Sequence, residues 1–143
     1  MEEKNTARVR FAALSENESF ARVVTSGFVM HYAVTPSFLA DVKTMVSEAV
    51  TNAIVHGYRD REKEKSFVVL ELKYDGKNRL TVSVTDHGRG IEDIGKAMEP
   101  FFTTDKEGER SGMGLPIMKA FSDSFRIVSR PGFTKVTMKK RLS

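Results

Sequence analysis

Two β-rich runs joined by an Asp-Gly turn constrain the fold of this chain more than any other feature of its sequence. The runs cover residues 66–74 and 79–86, and Asp75-Gly76 lies between them. Asp-Gly between β-branched runs is typical of a tight hairpin. A hairpin requires an antiparallel pair of strands, so the chain is predicted to contain an antiparallel sheet and not to be all-helical.

Three further segments predict strands of the same sheet. Residues 7–14 alternate between polar and apolar side chains, which indicates a first strand. Residues 124–129 and 133–141 flank Pro131-Gly132 and predict a second hairpin at the end of the chain.

Four further segments predict helices, and the two longest carry apolar residues at three- and four-residue spacing. The predicted helices cover 16–31, 38–56, 91–98 and 114–121. Ser15 stands three residues before Glu18, which is the spacing of a capping box. Gly57 fits the C-terminal cap of the second helix, where a left-handed backbone costs least without a Cβ. The order of elements indicates an α/β or α+β domain.

Composition limits the class of protein. The 143 residues suffice for one domain spanning 1–143, and 40% of them are hydrophobic. The absence of Cys excludes disulfides, thiolate metal sites and thiol nucleophiles. No apolar run approaches the roughly 20 residues of a membrane span, and the N-terminus is unlike a signal peptide. We therefore expect a cytoplasmic protein with no membrane association.

The net charge of +4 leaves nucleic acid open as a partner. The 23 Lys and Arg residues, however, are dispersed along the chain among 19 Asp and Glu residues. A short basic cluster stands only at 139–141. This dispersion predicts no direct nucleic-acid partner.

Three polar clusters carry candidate chemistry, and the first lies on the second predicted helix. Glu48, Asn52 and His56 follow at four-residue intervals and therefore form one row. Mg²⁺ prefers oxygen ligands and keeps several waters, so the Asn52 carbonyl is an adequate protein ligand. A carboxylate at Glu48 can accept a proton from a hydroxyl nucleophile. The alternative is an ordinary polar edge of an amphipathic helix.

The second cluster follows a predicted strand. Asp86 ends the strand, and Gly88 and Gly90 come after it. Glycine permits positive φ angles and lets a ligand approach the backbone closely. The Asp86 carboxylate can accept a hydrogen bond from an amino group, although an ordinary turn has the same pattern.

The third cluster opens the last predicted helix. Gly112 and Gly114 precede a helix N-terminus, where unpaired N–H groups suit a phosphate. Lys106 and Arg110 stand just upstream and add positive charge. An ordinary helix entry beside surface charges is the alternative.

In their order and separation, the three clusters resemble the N, G1 and G2 boxes of the GHKL ATPases. The resemblance implies a two-layer α/β sandwich of the Bergerat type, with a mostly antiparallel sheet, helices on one face and a mobile ATP lid over about 92–112. Segments 16–22, 47–54, 100–104 and 109–114 look like the bacterial anti-sigma serine kinases of the sporulation anti-sigma-F type.

The resemblance implies a role for each matching residue. Glu48 would be the general base that activates a substrate serine, Asn52 would ligate Mg²⁺, and Asp86 would bind the adenine amino group. The glycines and the lid residues would hold the rest of the ATP or ADP: Gly88, Gly90, Thr104, Lys106, Arg110, Gly112 and Gly114. The family has a Gly-Thr pair before its last strand, whereas Phe133 separates Gly132 from Thr134 here. Thr134 is therefore the candidate contact on the adenine side.

The resemblance also implies protein partners. The family inhibits an alternative sigma factor and phosphorylates an anti-anti-sigma protein on serine, and its members form homodimers. Glu18 and Arg22 lie four residues apart on the first predicted helix and are candidate partner contacts; a solvent-facing ion pair is the alternative.

Two other functions stay open. A nucleotide-responsive protein that sequesters a sigma factor without transferring phosphate would use the same site. A histidine-kinase catalytic domain would need a helical segment with a phosphoacceptor His, and the stretch before Glu48 is too short for one.

Overall fold

The computed structural model describes residues 3–99 and 113–143. Its strands are β1 (Asn5–Ala12), β2 (Phe67–Tyr74), β3 (Arg79–Asp86), β4 (Ser124–Arg130) and β5 (Phe133–Arg141). Its helices are α1 (Glu16–Val29), α2 (Pro36–Asn52), α3 (Ile94–Ala97) and α4 (Gly114–Phe121). A π-helical turn (Ala53–Gly57) extends α2, and a 3-10 turn (Lys63–Lys65) precedes β2.

The strands form one sheet in the order β1-β2-β3-β5-β4, and every neighbouring pair is antiparallel. Both predicted hairpins are confirmed: β2 pairs with β3 across the Asp75-Gly76 turn, and β4 pairs with β5 across Pro131-Gly132. Gly76 and Gly132 have φ angles of 77° and 85°. These turns therefore require residues that tolerate a left-handed backbone.

One face of the sheet packs against the helices and forms the core. On β2, Val68, Leu70 and Leu72 are buried, whereas the residues between them are half-buried. On α2 the buried residues recur at helical spacing, and they are Phe38, Val42, Met45, Val46, Ala49 and Val50. A period of two on the strands and near 3.6 on the helix places both apolar surfaces against each other. The α+β sandwich is thus confirmed.

Two predicted helix caps are wrong. The Ser15 side chain makes no capping hydrogen bond, because the Ser15 backbone is itself helical (φ −58°, ψ −33°). The Glu18 N–H donates to the Ser15 carbonyl at 3.2 Å, and the Glu18 carboxylate turns toward α2. Gly57 is not among the residues with positive φ. The second helix begins earlier than predicted, because Thr35 caps it by accepting the Phe38 N–H at 3.0 Å.

The helices in the described ranges are too short or too polar to cross a bilayer.

Candidate functional site

The site is built around Asp86, a carboxylate at the end of β3 that is only 3% exposed. Its Oδ1 accepts the Gly88 N–H at 2.9 Å. A carboxylate has about four acceptor positions, so Asp86 can receive further donors. Burial raises the pKa of the Asp86 carboxyl to about 6, against the opposing effects of the Gly88 N–H and His87. Near neutral pH the group is a buried anion that can bind a hydrogen-bond donor.

Gly57 and Gly88 lie in close contact with Asp86 and with each other. A Cβ at Gly57 would stand 2.7 Å from Asp86 Oδ1, and a Cβ at Gly88 would stand 1.8 Å from the Gly57 carbonyl oxygen. The Arg89 N–H donates to the same oxygen at 2.8 Å. Glycine is therefore needed at position 57 because a side chain there would collide with Asp86, and not because of the left-handed cap predicted from the sequence. Gly88 likewise admits protein backbone at this point.

Tyr58 anchors the turn that carries Gly57 to the sheet. Its hydroxyl donates to the Phe67 carbonyl at 2.5 Å and accepts the His87 N–H at 2.7 Å. These bonds join the π-helical turn to β2 and to the end of β3. No motif in the sequence singles out Tyr58; its position directly after the His56-Gly57 pair is the one available signal.

Thr134 lies on β5 directly opposite Asp86 and is 3% exposed. Its hydroxyl is 2.8 Å from Ser129 Oγ, which also accepts the Ile91 N–H at 2.8 Å. Gly90 has a φ of 81°, and a Cβ there would lie 2.3 Å from the Arg130 carbonyl oxygen. The structure therefore brings Gly88 and Thr134 to Asp86 and places Gly90 against the Arg130 carbonyl at the end of β4. The sequence did not single out Ser129.

Glu48 and Asn52 lie one turn apart on α2, and both are half-buried. The predicted row of three reaches its last member, His56, through a π-helical turn that follows Asn52, in which the Tyr58 N–H donates to the Ala53 carbonyl at 3.0 Å. Single π turns inside helices occur frequently at functional sites.

Glu48 also lines an open groove of about 570 Å³ beside α1 and α2. The groove is lined by Arg22, Pro36, Leu39, Ala40, Lys43, Thr44, Ser47 and Glu48. The Ser47 hydroxyl donates to Glu18, and Arg22 Nε lies 3.1 Å from the same carboxylate oxygen. The Glu18–Arg22 ion pair is therefore present, and it also joins α1 to α2 next to Glu48.

The N-terminus of α4 is the remaining described part of the site. Met113 precedes the helix without a side-chain cap, so the Gly114 and Leu115 N–H groups lack intrahelical partners. Pro116 occupies the next position and has no N–H. Helix α4 packs against α2, which carries Glu48 and Asn52. The predictions for Thr104, Lys106, Arg110 and Gly112, and for most of the 92–112 lid, fall outside the described residues.

The oxygen atoms of the site suit a Mg²⁺ ion that is held partly by the protein and partly by a bound ligand. Within the described ranges, no group of three His, Cys, Asp or Glu residues could enclose a metal. The Asn52 carbonyl oxygen supplies a hard donor, one helical turn from the Glu48 carboxylate. Mg²⁺ commonly uses one or two protein oxygens, waters and substrate phosphates.

We expect Gly88→Ala to destabilise the fold by about 3 kcal/mol, the upper end of ordinary overpacking. The added Cβ would lie 1.8 Å from oxygen and 2.2 Å from carbon of the Gly57 peptide, and backbone cannot yield as a flexible side chain does. Gly27→Ala is the control, since nothing lies within 4 Å of a Cβ there. On the exposed side of α1 it should stabilise by about 0.5–1 kcal/mol. Denaturant unfolding measures both, and a Gly88→Ala variant as stable as the wild type would refute the contact.

Comparison with known proteins places this geometry in a family. The histidine kinase-like ATPase domain matches residues 11–140. The anti-sigma F factor of Thermoanaerobacter sp. (strain X514) is 46% identical over 132 residues, covering 92% of this chain and 90% of that protein. The chain belongs to the anti-sigma F factor family of histidine kinase-like ATPases. The anti-sigma F factor of Clostridium botulinum (strain Alaska E43 / Type E3) is 42% identical over 142 residues, covering 98% of this chain and 96% of that protein.

Solved structures support the fold of the family. The structure of the RsbU and RsbW domains of Rv1364c from Mycobacterium tuberculosis has a TM-score of 0.69 at 22% identity, covering 96% of this chain and 32% of that longer one. The catalytic domain of the histidine kinase ThkA has a TM-score of 0.58 at 17% identity, with 95% and 96% covered. At these identities the likeness establishes the fold.

Proposed function

We propose that this chain is an anti-sigma factor that binds ATP with Mg²⁺ at the Asp86 site and phosphorylates a serine of an anti-anti-sigma protein. The observation that carries the proposal is the buried Asp86 carboxylate, in close contact with Gly57 and Gly88, in a chain of the anti-sigma F factor family. Its sigma-factor partner is inferred from the names of the relatives.

Asp86 supplies the recognition of adenine. The exocyclic amino group of adenine is a donor, and an ionised buried carboxylate is the matching acceptor. A charge-assisted hydrogen bond of this kind is stronger than a neutral one. Thr134, directly opposite on β5, adds a hydroxyl on the same side. Guanine has a carbonyl oxygen where adenine has the amino group, so the carboxylate repels it.

Glu48 and Asn52 supply the chemistry at the phosphates. The serine Oγ attacks the terminal phosphorus, the bond to the ADP oxygen breaks, and the serine proton passes to the Glu48 carboxylate. Asn52 would hold Mg²⁺, which would neutralise phosphate charge when bound. The uncapped α4 N-terminus offers N–H groups to the same phosphates. Phosphoryl transfer depends mainly on such positioning and charge stabilisation.

The experiment is incubation of the chain with γ-labelled ATP, Mg²⁺ and the anti-anti-sigma protein. We expect the label on one serine, and a partner with that serine changed to alanine is the control. If the chain binds ATP and the sigma factor but never labels its partner, it is a sequestering protein and not a kinase.

The affinity for ATP should depend on pH because Asp86 titrates near 6. The ionised carboxylate accepts the adenine amino group, whereas protonation removes an acceptor and its charge. Below pH 6 the apparent affinity should therefore fall about tenfold for each pH unit. Calorimetric titration between pH 5 and 8 measures this decline. An Asp86→Asn variant lacks the titrating carboxyl and should therefore bind ATP weakly and with equal affinity at pH 5 and pH 8. The same decline with pH in that variant would show that another group is responsible.

A further inference from the structure

The face of the sheet opposite the core, called here the open face, has a very uneven charge. On β1, Arg8 and Arg10 are exposed, whereas Val9 and Phe11 between and beside them face the core. Counted over all five strands by this alternation, the open face holds nine Lys or Arg residues and one acidic residue, Glu71. It carries +8, while the whole chain carries +4, so the rest of the molecule carries −4.

This charge separation was hidden in the linear sequence. Basic and acidic residues alternate with apolar ones along the chain, so that their dispersion suggested an ordinary solvated surface. A strand sends alternate side chains to opposite faces, and strand pairing then collects them on one surface. The expectation of no nucleic-acid partner rested on that dispersion, which the fold removes.

The cations flank the central strand on both sides. Arg8 and Arg10 on β1 lie about 10 Å from β3, which is two strand spacings, and Lys73 on β2 lies about 5 Å from it. On the other side β5 carries three cations, Lys135, Lys139 and Arg141, and the outer strand β4 carries Arg126 and Arg130. Arg79 begins β3 itself and pairs across with Arg141. The arrangement is a track with positive charge along both edges.

The floor of the track is lined by hydroxyls. Thr81, Ser83 and Thr85 occupy the open face of β3, and Ser83 Oγ lies 3.4 Å from Thr137 Oγ1 on β5. Hydroxyl side chains commonly donate to phosphate oxygens. Among the described residues, one ion pair involves a cation of the open face, and it joins Lys73 to Glu71 at 3.4 Å.

Two aromatic rings stand at one end of the face, each with an arginine over it. The Arg10 guanidinium lies 3.7 Å from the Phe67 ring centre, and the Arg130 guanidinium lies 4.2 Å from the Phe133 ring centre. Unstacked bases pack on aromatic rings and on guanidinium planes alike. Such planes beside a cationic track are the combination that binds single-stranded nucleic acid.

We propose that the open face binds a single strand of nucleic acid laid along β3, with its phosphates between the two rows of cations. An acidic protein is the less suitable occupant, because protein interfaces are depleted in charge at their centre and rely on aromatic or aliphatic anchors. The centre of this face holds hydroxyls instead. Binding here leaves the Asp86 site free, since the Asp86 side chain faces the opposite side of the sheet.

The test is fluorescence polarisation with a labelled single strand of about 16 nucleotides, the upper end of common site sizes. Salt is varied around 0.15 M. The face variant, Arg8→Gln/Arg126→Gln/Lys135→Gln, removes one cation from each of three strands. The control variant, Lys65→Gln/Lys77→Gln/Lys119→Gln, removes the same charge from turns and helices. Both variants should bind ATP as the wild type does.

Three lost phosphate contacts should lower the salt slope by about 2 and weaken binding about 50-fold near 0.15 M salt. The control variant should retain wild-type affinity. Equal weakening in both variants would show attraction by net charge alone and overturn the proposal. Equal competition by poly-glutamate would assign the face to an acidic protein. A changed sedimentation coefficient in the face variant would instead make the face an interface between copies of the chain.

Discussion

Replacing Glu48 with glutamine is expected to slow phosphate transfer to the partner serine by about 10²–10⁴-fold, the range that one general base contributes. Glutamine keeps the shape of the side chain but cannot take the serine proton. The residue lines the groove beside α1 and α2, where a protein substrate has access, and Asp86 does not line that groove. ATP affinity should therefore change little. Single-turnover transfer and nucleotide titration measure the two effects separately.

Glu62→Gln is the matched control for this variant. Glu62 is an exposed acid directly before the 3-10 turn, and it pairs with Lys65 at 3.3 Å. Its substitution makes the same chemical change at a position away from the site. Its transfer rate should equal that of the wild type. Undiminished transfer in Glu48→Gln would remove Glu48 from the role of base.

Asp86→Asn is expected to weaken ATP binding by about 10–100-fold, because a hydrogen bond to a charged group contributes about 1.5–3 kcal/mol. The asparagine has no charge and presents an NH₂ group where the carboxylate has an acceptor. Isothermal titration at pH 7 measures the loss. ADP should lose affinity by the same factor, since the contact is to the base and not to the phosphates.

The same substitution should stabilise the protein without nucleotide. The pKa of Asp86 is about 6 when folded and 3.8 ordinarily, so the folded protein holds this proton more tightly than the unfolded chain. Its contribution to stability is present below about pH 4 and is lost as the pH rises through 6. Asp86→Asn should therefore raise the free energy of unfolding at pH 7 by up to about 3 kcal/mol. If Asp86→Asn binds ATP more weakly but unfolds less readily, its weaker binding comes from lost recognition and not from misfolding. A variant less stable than the wild type would contradict the inference that burying the Asp86 charge destabilises the fold.

The sheet and most of the site follow from local patterns. Both hairpins are specified by their turn residues, and Asp86 could be placed at a strand end because β3 alternates regularly before it. Thr134 could be chosen despite Phe133 in between, and the register that sets it opposite Asp86 supports that choice. These predictions succeed because strand period and turn chemistry act over a few residues.

Contacts between distant segments were not predictable in this way. The need for glycine at 57 arises from Asp86, which lies 29 residues later, and the fold alone brings them together. The carboxylate of Glu18 joins Ser47 on α2 instead of capping its own helix. Lys63 belongs to the run of charged residues at 59–65, and its ammonium donates to the Ile54 carbonyl at 2.6 Å. In each case tertiary contact overrides the local signal.

The preference for ATP over GTP tests the central claim most directly. The wild type is titrated with each nucleotide in Mg²⁺ at pH 7. At the position that faces Asp86, adenine has an amino group that donates a hydrogen bond, whereas guanine has a carbonyl oxygen. We expect ATP to bind at least about tenfold more tightly than GTP, which corresponds to about 1.4 kcal/mol. Asp86→Asn should abolish this preference. Equal affinity of the wild type for ATP and GTP would contradict the assignment of Asp86 as the residue that recognises adenine.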